Sequence, residues 1–203
     1  ENRNRLLFWD FSDQLKPDTP ATILVRRLYR LTLYEIEVPL PPPGASSSAP
    51  PDAEALFFTK SEPFNEITDE IRAAAREAAA GAEDPAEKAR RIFDWTRASM
   101  TYAYPPPGGR GALVALREKS GDCGQYADLF ISLCRAEGIP ARFAGGWSIA
   151  STPREGEPGV FNVGSHAWAE FRLPDGRWAP ADPSREEEDL FAHFDSLSHV
   201  TCS

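Results

Sequence analysis

The chain has 203 residues, 41% of them hydrophobic and 26% charged, and a formal net charge of -9. That size and apolar content suit one sizeable core with an extension better than two full domains, and the acidic balance disfavours nucleic acid and anionic membrane surfaces as partners. No apolar run reaches the roughly 18 residues of a membrane span, and the cysteines Cys123, Cys134 and Cys202 lack the spacing of a zinc site or a disulfide framework.

The chain opens at Glu1 with no initiator Met and no signal-peptide pattern, the expectation for a segment of a longer protein. Leu28 to Val38 alternates polar with β-branched or aromatic positions and reads as a strand. The Pro/Ser-rich stretch from Pro39 to Pro51 reads as an exposed loop, and Ala55 to Thr59 as the strand that returns from it. Residues 1–63 are therefore expected to form an N-terminal β extension, with the core over 64–203.

Two helices follow. Thr68 to Ala80 is alanine-rich and stops at Gly81, and Asp84-Pro85-Ala86-Glu87 supplies an N-cap, a proline at the first helical position and an acid at the third for a second helix. Arg26-Arg27 and Arg90-Arg91 sit beside acids and read as solvated faces. Beyond the second helix stand Tyr102 and Tyr104, then the loop Pro105-Pro106-Pro107-Gly108-Gly109.

From Cys123 to Ala136 apolar residues occupy almost every side of a helical wheel, the pattern of a helix buried inside a domain. Asp122 is its polar cap and Gly138 its stop. Cys123 thus opens a buried helix whose first-turn N–H groups can stabilise a thiolate or a developing oxyanion. Cys134 lies about three turns and 16 Å along the same helix and reads as core packing.

His166, Trp168, Glu170 and Arg172 alternate with Ala167, Ala169, Phe171 and Leu173, the period of a strand. Pro174-Asp175-Gly176 signals a turn, and Arg177 to Asp182 returns antiparallel. A tight turn centred on Asp175-Gly176 would set Asp182 opposite Ala169, three residues and roughly 10 Å from His166. A bulge, a twist or a longer turn would close that gap, with Pro180 its natural place. In the tail, His193 and His199 have no acidic partner at ligand spacing, so surface or packing roles are expected.

One thiol, one imidazole and one carboxylate, Cys123, His166 and Asp182, therefore stand in the chain order of a nucleophile, its base and the base's orienting group. Taken singly, each has a plainer reading as a buried cysteine, a structural histidine and a turn residue. With Gly138-Ile139-Pro140-Ala141-Arg142 between them, the motifs Gly121-Asp122-Cys123-Gly124-Gln125-Tyr126, Ser165-His166-Ala167-Trp168-Ala169-Glu170 and Ala181-Asp182-Pro183 resemble the transglutaminase-like superfamily over about Ile92 to Ser184. The resemblance implies an α+β, papain-like core, with the nucleophile helix packed on an antiparallel β-sheet. It implies a Cys-His-Asp enzyme acting on amide bonds through a thioester, releasing the acyl group to water or to an amine, with no metal and no cofactor.

Its partners would be a protein or peptide substrate and, for transfer, an amine acceptor. The resemblance carries an oxyanion-binding aromatic to Tyr102, which by itself reads equally as a core aromatic. Trp147 and Trp168, on strands flanking the site, could line an acyl cleft or the core. A catalytically silent peptide-binding module of the same fold is the alternative, and acetyl transfer to arylamines is a further one.

Overall fold

The computed structural model describes residues 32–42, 44, 52–185, 188–194 and 199–201, and all but the first of these fall in one unit, residues 33–202. Its elements are β1 (Ile36–Glu37), α1 (Ala53–Phe57), α2 (Asp69–Ala78), α3 (Pro85–Ser99), β2 (Thr101–Tyr102), α4 (Ala112–Glu118), β3 (Ser120–Gly121), α5 (Cys123–Ala136), β4 (Ala141–Pro153), β5 (Phe161–Arg172), β6 (Trp178–Ala181), β7 (His193–Phe194) and β8 (Val200–Thr201). No helix among the described residues is long and apolar enough to cross a membrane.

α5 is the centre. Every residue from Gln125 to Arg135 is buried, which its all-round apolar wheel requires. Its C-terminus closes as a Schellman motif: Gly138, at φ +78°, donates to the Arg135 carbonyl and Ile139 to that of Cys134, satisfying two carbonyls the helix cannot. α2 and α3 lie against it, capped by Thr68 and by Asp84, whose Oδ1 accepts from the amides of Ala86 and Glu87. Phe93 of α3, Phe130 of α5, Phe171 of β5 and Phe191 form a closed ring of aromatic contacts with centroids 4.9 to 6.3 Å apart. Each such pair adds about 0.5–1.5 kcal/mol to what burial alone contributes.

The main sheet is antiparallel, in the order β6-β5-β4-β8. Ala167, Ala169 and Phe171 point into one core, with Ala169 and Phe171 in the α5 cluster. Trp168 points to the other face, where it packs with Leu190, Phe194 and Ala144.

Two expectations are corrected. The Ala55 to Thr59 segment is not a returning strand: Ala53–Phe57 is a helix, capped by Asp52, whose side chain accepts from the Ala55 amide. Ala-Glu-Ala-Leu after an aspartate is good helix sequence, and Arg172 clamps the capping carboxylate with both its terminal nitrogens. Of the strand expected over Leu28 to Val38, residues 32–38 are described, and among them only Ile36–Glu37, β1, is strand, pairing with β7. Arg26-Arg27 and Cys202 lie outside the described residues.

The second correction concerns the hairpin. β5 and β6 pair Arg172 with Trp178 and Ala169 with Ala181, with no bulge. Leu173 donates to the Arg177 carbonyl around a three-residue loop whose last member, Gly176, has φ +89°, a left-handed position glycine fills without strain. The turn centres on Asp175 alone, one residue off the two-residue turn expected. Because side chains alternate, that residue decides the face: Asp182 comes level with Trp168 and on the side of His166.

Candidate active site

Cys123 is held by what precedes it. β3 pairs in parallel with β2, setting Gly121 beside Tyr102, and the Asp122 carboxylate takes the Gln125 amide and the Arg110 guanidinium, the latter at 2.6 Å. Gly121 cannot be larger, because a Cβ there would meet the Gln125 side chain at 2.6 Å. The thiol is half-buried at the first residue of α5, where helix N–H groups have no intrahelical partner. Cys134 is fully buried in the core, and burial pushes its thiol well above the ordinary range.

His166 sits on β5 opposite Gly146. Its Nε2 lies 2.7 Å from Asp182 Oδ2, and the Cys123 sulfur is near enough to act on the same ring and raise its pKa. With Nε2 taken, Nδ1 is the nitrogen left for sulfur. Asp182 is fully buried, and Ser184 fixes its other oxygen through the amide at 3.0 Å and the hydroxyl at 2.6 Å. Of the three residues singled out in the sequence, His166 and Asp182 are in direct contact, and Cys123 acts electrostatically on the His166 ring.

The electrostatics follow. Burial is the largest influence on His166 and would lower its pKa, but the Asp182 carboxylate and Cys123 sulfur together outweigh it and push it up to about 9. Burial works to raise Asp182, and the two imidazoles and Ser184 hold it well below the usual carboxylate range instead. The cluster is built to carry an imidazolium beside an anion at neutral pH.

Sequence reasoning missed one member. His199 is not a surface or packing residue without an acidic partner: its Nε2 is 2.9 Å from the same Asp182 Oδ2, and its side chain is buried. His193 too has a partner, Glu35, at 2.9 Å. His166, Asp182 and His199 offer one ligand atom each within 4.8 Å of one another, so the set could receive a divalent ion, which would have to displace both rings from Oδ2.

The aromatic candidates separate. Tyr102 is part-exposed, stacks on Tyr126 at 6.4 Å and is raised in pKa by burial first and by the charge of Cys123 second. Trp147 is exposed and pairs with Ser165, so alternation turns it to the sheet face opposite His166. Trp168 is 2% exposed and stands behind the site, edge-on to His199.

A cysteine-led helix packed on an antiparallel sheet that carries histidine and aspartate defines the class: an α+β, papain-like fold. Residues 72–183, more than half of the chain, match the Transglutaminase-like superfamily, and the chain belongs to that superfamily. Its members include cysteine-nucleophile enzymes.

Among solved structures, the chain resembles the periplasmic domain of TgpA from Pseudomonas aeruginosa, with TM-score 0.54 and 24% identity over 70% of this chain and 50% of that one. It also resembles a candidate cysteine protease of Cytophaga hutchinsonii, with TM-score 0.53 and 21% identity over 73% and 47%. The chain spans about half the length of each. No curated protein sequence matches it.

Proposed function

We propose that residues 64–203 form a cysteine-nucleophile enzyme acting on the amide bonds of a protein or peptide substrate, with residues 1–63 as an extension to it. The observation that carries this reading is the ring of His166, bonded to the buried Asp182 at 2.7 Å and raised in pKa by that carboxylate together with the helix-opening Cys123. The Cys123 thiolate attacks the amide carbonyl carbon, forming the S–C bond. The oxyanion is received by first-turn N–H groups of α5, with the Tyr102 hydroxyl as second donor; a raised pKa keeps that hydroxyl protonated.

Collapse breaks the C–N bond as His166 gives its proton to the leaving amine. Neutral His166 then takes a proton from water, or from an amine acceptor, as its oxygen or nitrogen attacks the thioester. The S–C bond breaks, and the thiolate–imidazolium pair is restored. Asp182 keeps the ring in the productive tautomer and stabilises its charge. We favour hydrolysis slightly over transfer.

The test is iodoacetamide labelling across pH, with mapping of the modified residue. Fast alkylation of Cys123 well below pH 8 is expected. A Cys123 no faster than a free thiol would leave a peptide-binding module. Amide and glutamine substrates with and without an added amine then separate the acceptors.

A further inference from the structure

We propose that His199 is a positioning residue of this site, a neutral second imidazole that donates Nε2–H to Asp182 and holds the carboxylate aimed at His166. The proposal rests on the cysteine-enzyme reading above and adds to it a residue which that mechanism does not use.

An ionised carboxylate has about four lone-pair directions. In Asp182 all four are filled: Oδ2 takes His166 at 2.7 Å and His199 at 2.9 Å, and Oδ1 takes the amide and hydroxyl of Ser184. Without His199, Oδ2 would face a single donor on one side, and the group could turn about its Cβ–Cγ bond away from His166.

The tautomer follows from the acceptor. Ionised Asp182 can only accept, so His199 Nε2 must carry hydrogen. Charge on the ring is opposed by its surroundings: it stacks on Phe194 with centroids 3.5 Å apart, lies edge-on to Trp168 and stands 5.1 Å from the His166 ring. The charged groups that act on it are Asp182, His166 and Arg185, the last with its Nε 3.9 Å from Asp182 Oδ2 and its guanidinium tied to Ser148 at 2.8 Å. Burial pushes its pKa down most; Asp182 pushes it up, His166 and Arg185 push it down, and the outcome lies below the ordinary value.

The backbone is fitted to deliver this ring. β8, which begins one residue later, pairs with β4 at Gly146 and Trp147. A Cβ on Gly146 would lie 1.9 Å from the Val200 carbonyl oxygen, so only glycine lets the strand come this close. Gly146 therefore has β8, which follows His199, on one side and His166 on the other.

The experiment is long-range nitrogen–proton NMR of the histidine-labelled full chain from pH 5.5 to 10, on the wild type, His199→Phe and His199→Gln, with Cys123 alkylation at pH 7 alongside. In the wild type, His199 is expected as the neutral Nε2–H tautomer at pH 7 while His166 is doubly protonated. His199→Phe keeps an aromatic ring but removes the donor: the His166 midpoint should fall from about 9 toward its ordinary value, and alkylation should slow about tenfold. His199→Gln, which restores an N–H donor, should recover most of both.

A charged His199 or an Nδ1–H tautomer in the wild type would overturn the proposal, as would an unchanged or raised His166 midpoint in His199→Phe. If that variant does not fold, the wild-type tautomer decides. Slow alkylation of wild-type Cys123 would instead count against the enzyme reading, with the histidine spectra still interpretable.

Discussion

Within the β4–β5 ribbon, the half nearest α5 and the half running out to Pro153 and Phe161 share one ladder but not one environment. Ala141, Ala169 and Phe171 are fully buried, whereas every residue from Phe161 to Ser165 is exposed. Alternation continues in both halves; what changes is the cover. The inner half has α5 on one face, the cluster of Trp168, Leu190 and Phe194 on the other, and β6 along its β5 edge. His166 stands at the changeover, the first residue of β5 that is not exposed. There a ring can be backed by core yet still meet a thiol that reaches solvent.

Perturbing the inner half should therefore be costly and the outer half nearly silent, and the sharpest test begins with the chemistry. Cys123→Ala should lower turnover by about 10⁴-fold or more while thermal unfolding stays within a few degrees, since the residue is half-buried at a helix start. An acyl adduct trapped on Cys134 of the wild type would refute the assignment.

Asp182→Asn should lower kcat by about 100- to 10,000-fold. It should also cost about 1–3 kcal/mol of stability, because the new NH₂ would face N–H or O–H donors on at least one side. Urea unfolding that matched the wild type would mean the four hydrogen bonds contribute little.

Stability should also carry the signature of His166. Its pKa is raised from 6.5 to about 9, so its contribution is complete below pH 6.5 and is lost as pH rises through 9. The fall should be on the order of 3 kcal/mol, and activity should decline over the same limb as the general acid loses its proton. In Asp182→Asn this pH dependence should largely disappear; a flat wild-type profile between pH 6.5 and 9 would contradict the charged ring.

Two glycines on the same ribbon complete the contrast. Gly146→Ala drives a Cβ into the backbone of β8 and should cost about 2 kcal/mol, with loss of the His199 contact to Asp182. Gly164→Ala has open space and should stay within about 0.5 kcal/mol of the wild type. Equal effects at the two positions would erase the distinction between the halves.

What the sequence revealed follows the range of the forces involved. α5 was legible because its apolar wheel, its Asp122 cap and its Gly138 stop are all local, and the same holds for the cap at Asp84. The strand expected over Ala55 to Thr59 is the helix α1, because a five-residue helix has too few periods to outweigh a run containing two phenylalanines. The hairpin was anticipated and its register was not, since Pro174-Asp175-Gly176 suits both a two-residue turn and a three-residue loop. His199 left no signal at all. Its bond to Asp182 spans 17 residues through the packing of β8 on β4, and no spacing rule encodes that approach.

The three-residue loop between β5 and β6 has an evolutionary consequence. It works as a parity lock: residues may be exchanged around Asp175, but adding or removing one with the turn kept tight would slip β6 by one position against β5, turning Asp182 to the α5 side and stranding His166 without its counter-ion. Length variation here should be permitted in steps of two or compensated by a bulge, so the loop is constrained in its count more tightly than in its composition. A chemically plain turn would then be under selection for the reaction by arithmetic alone.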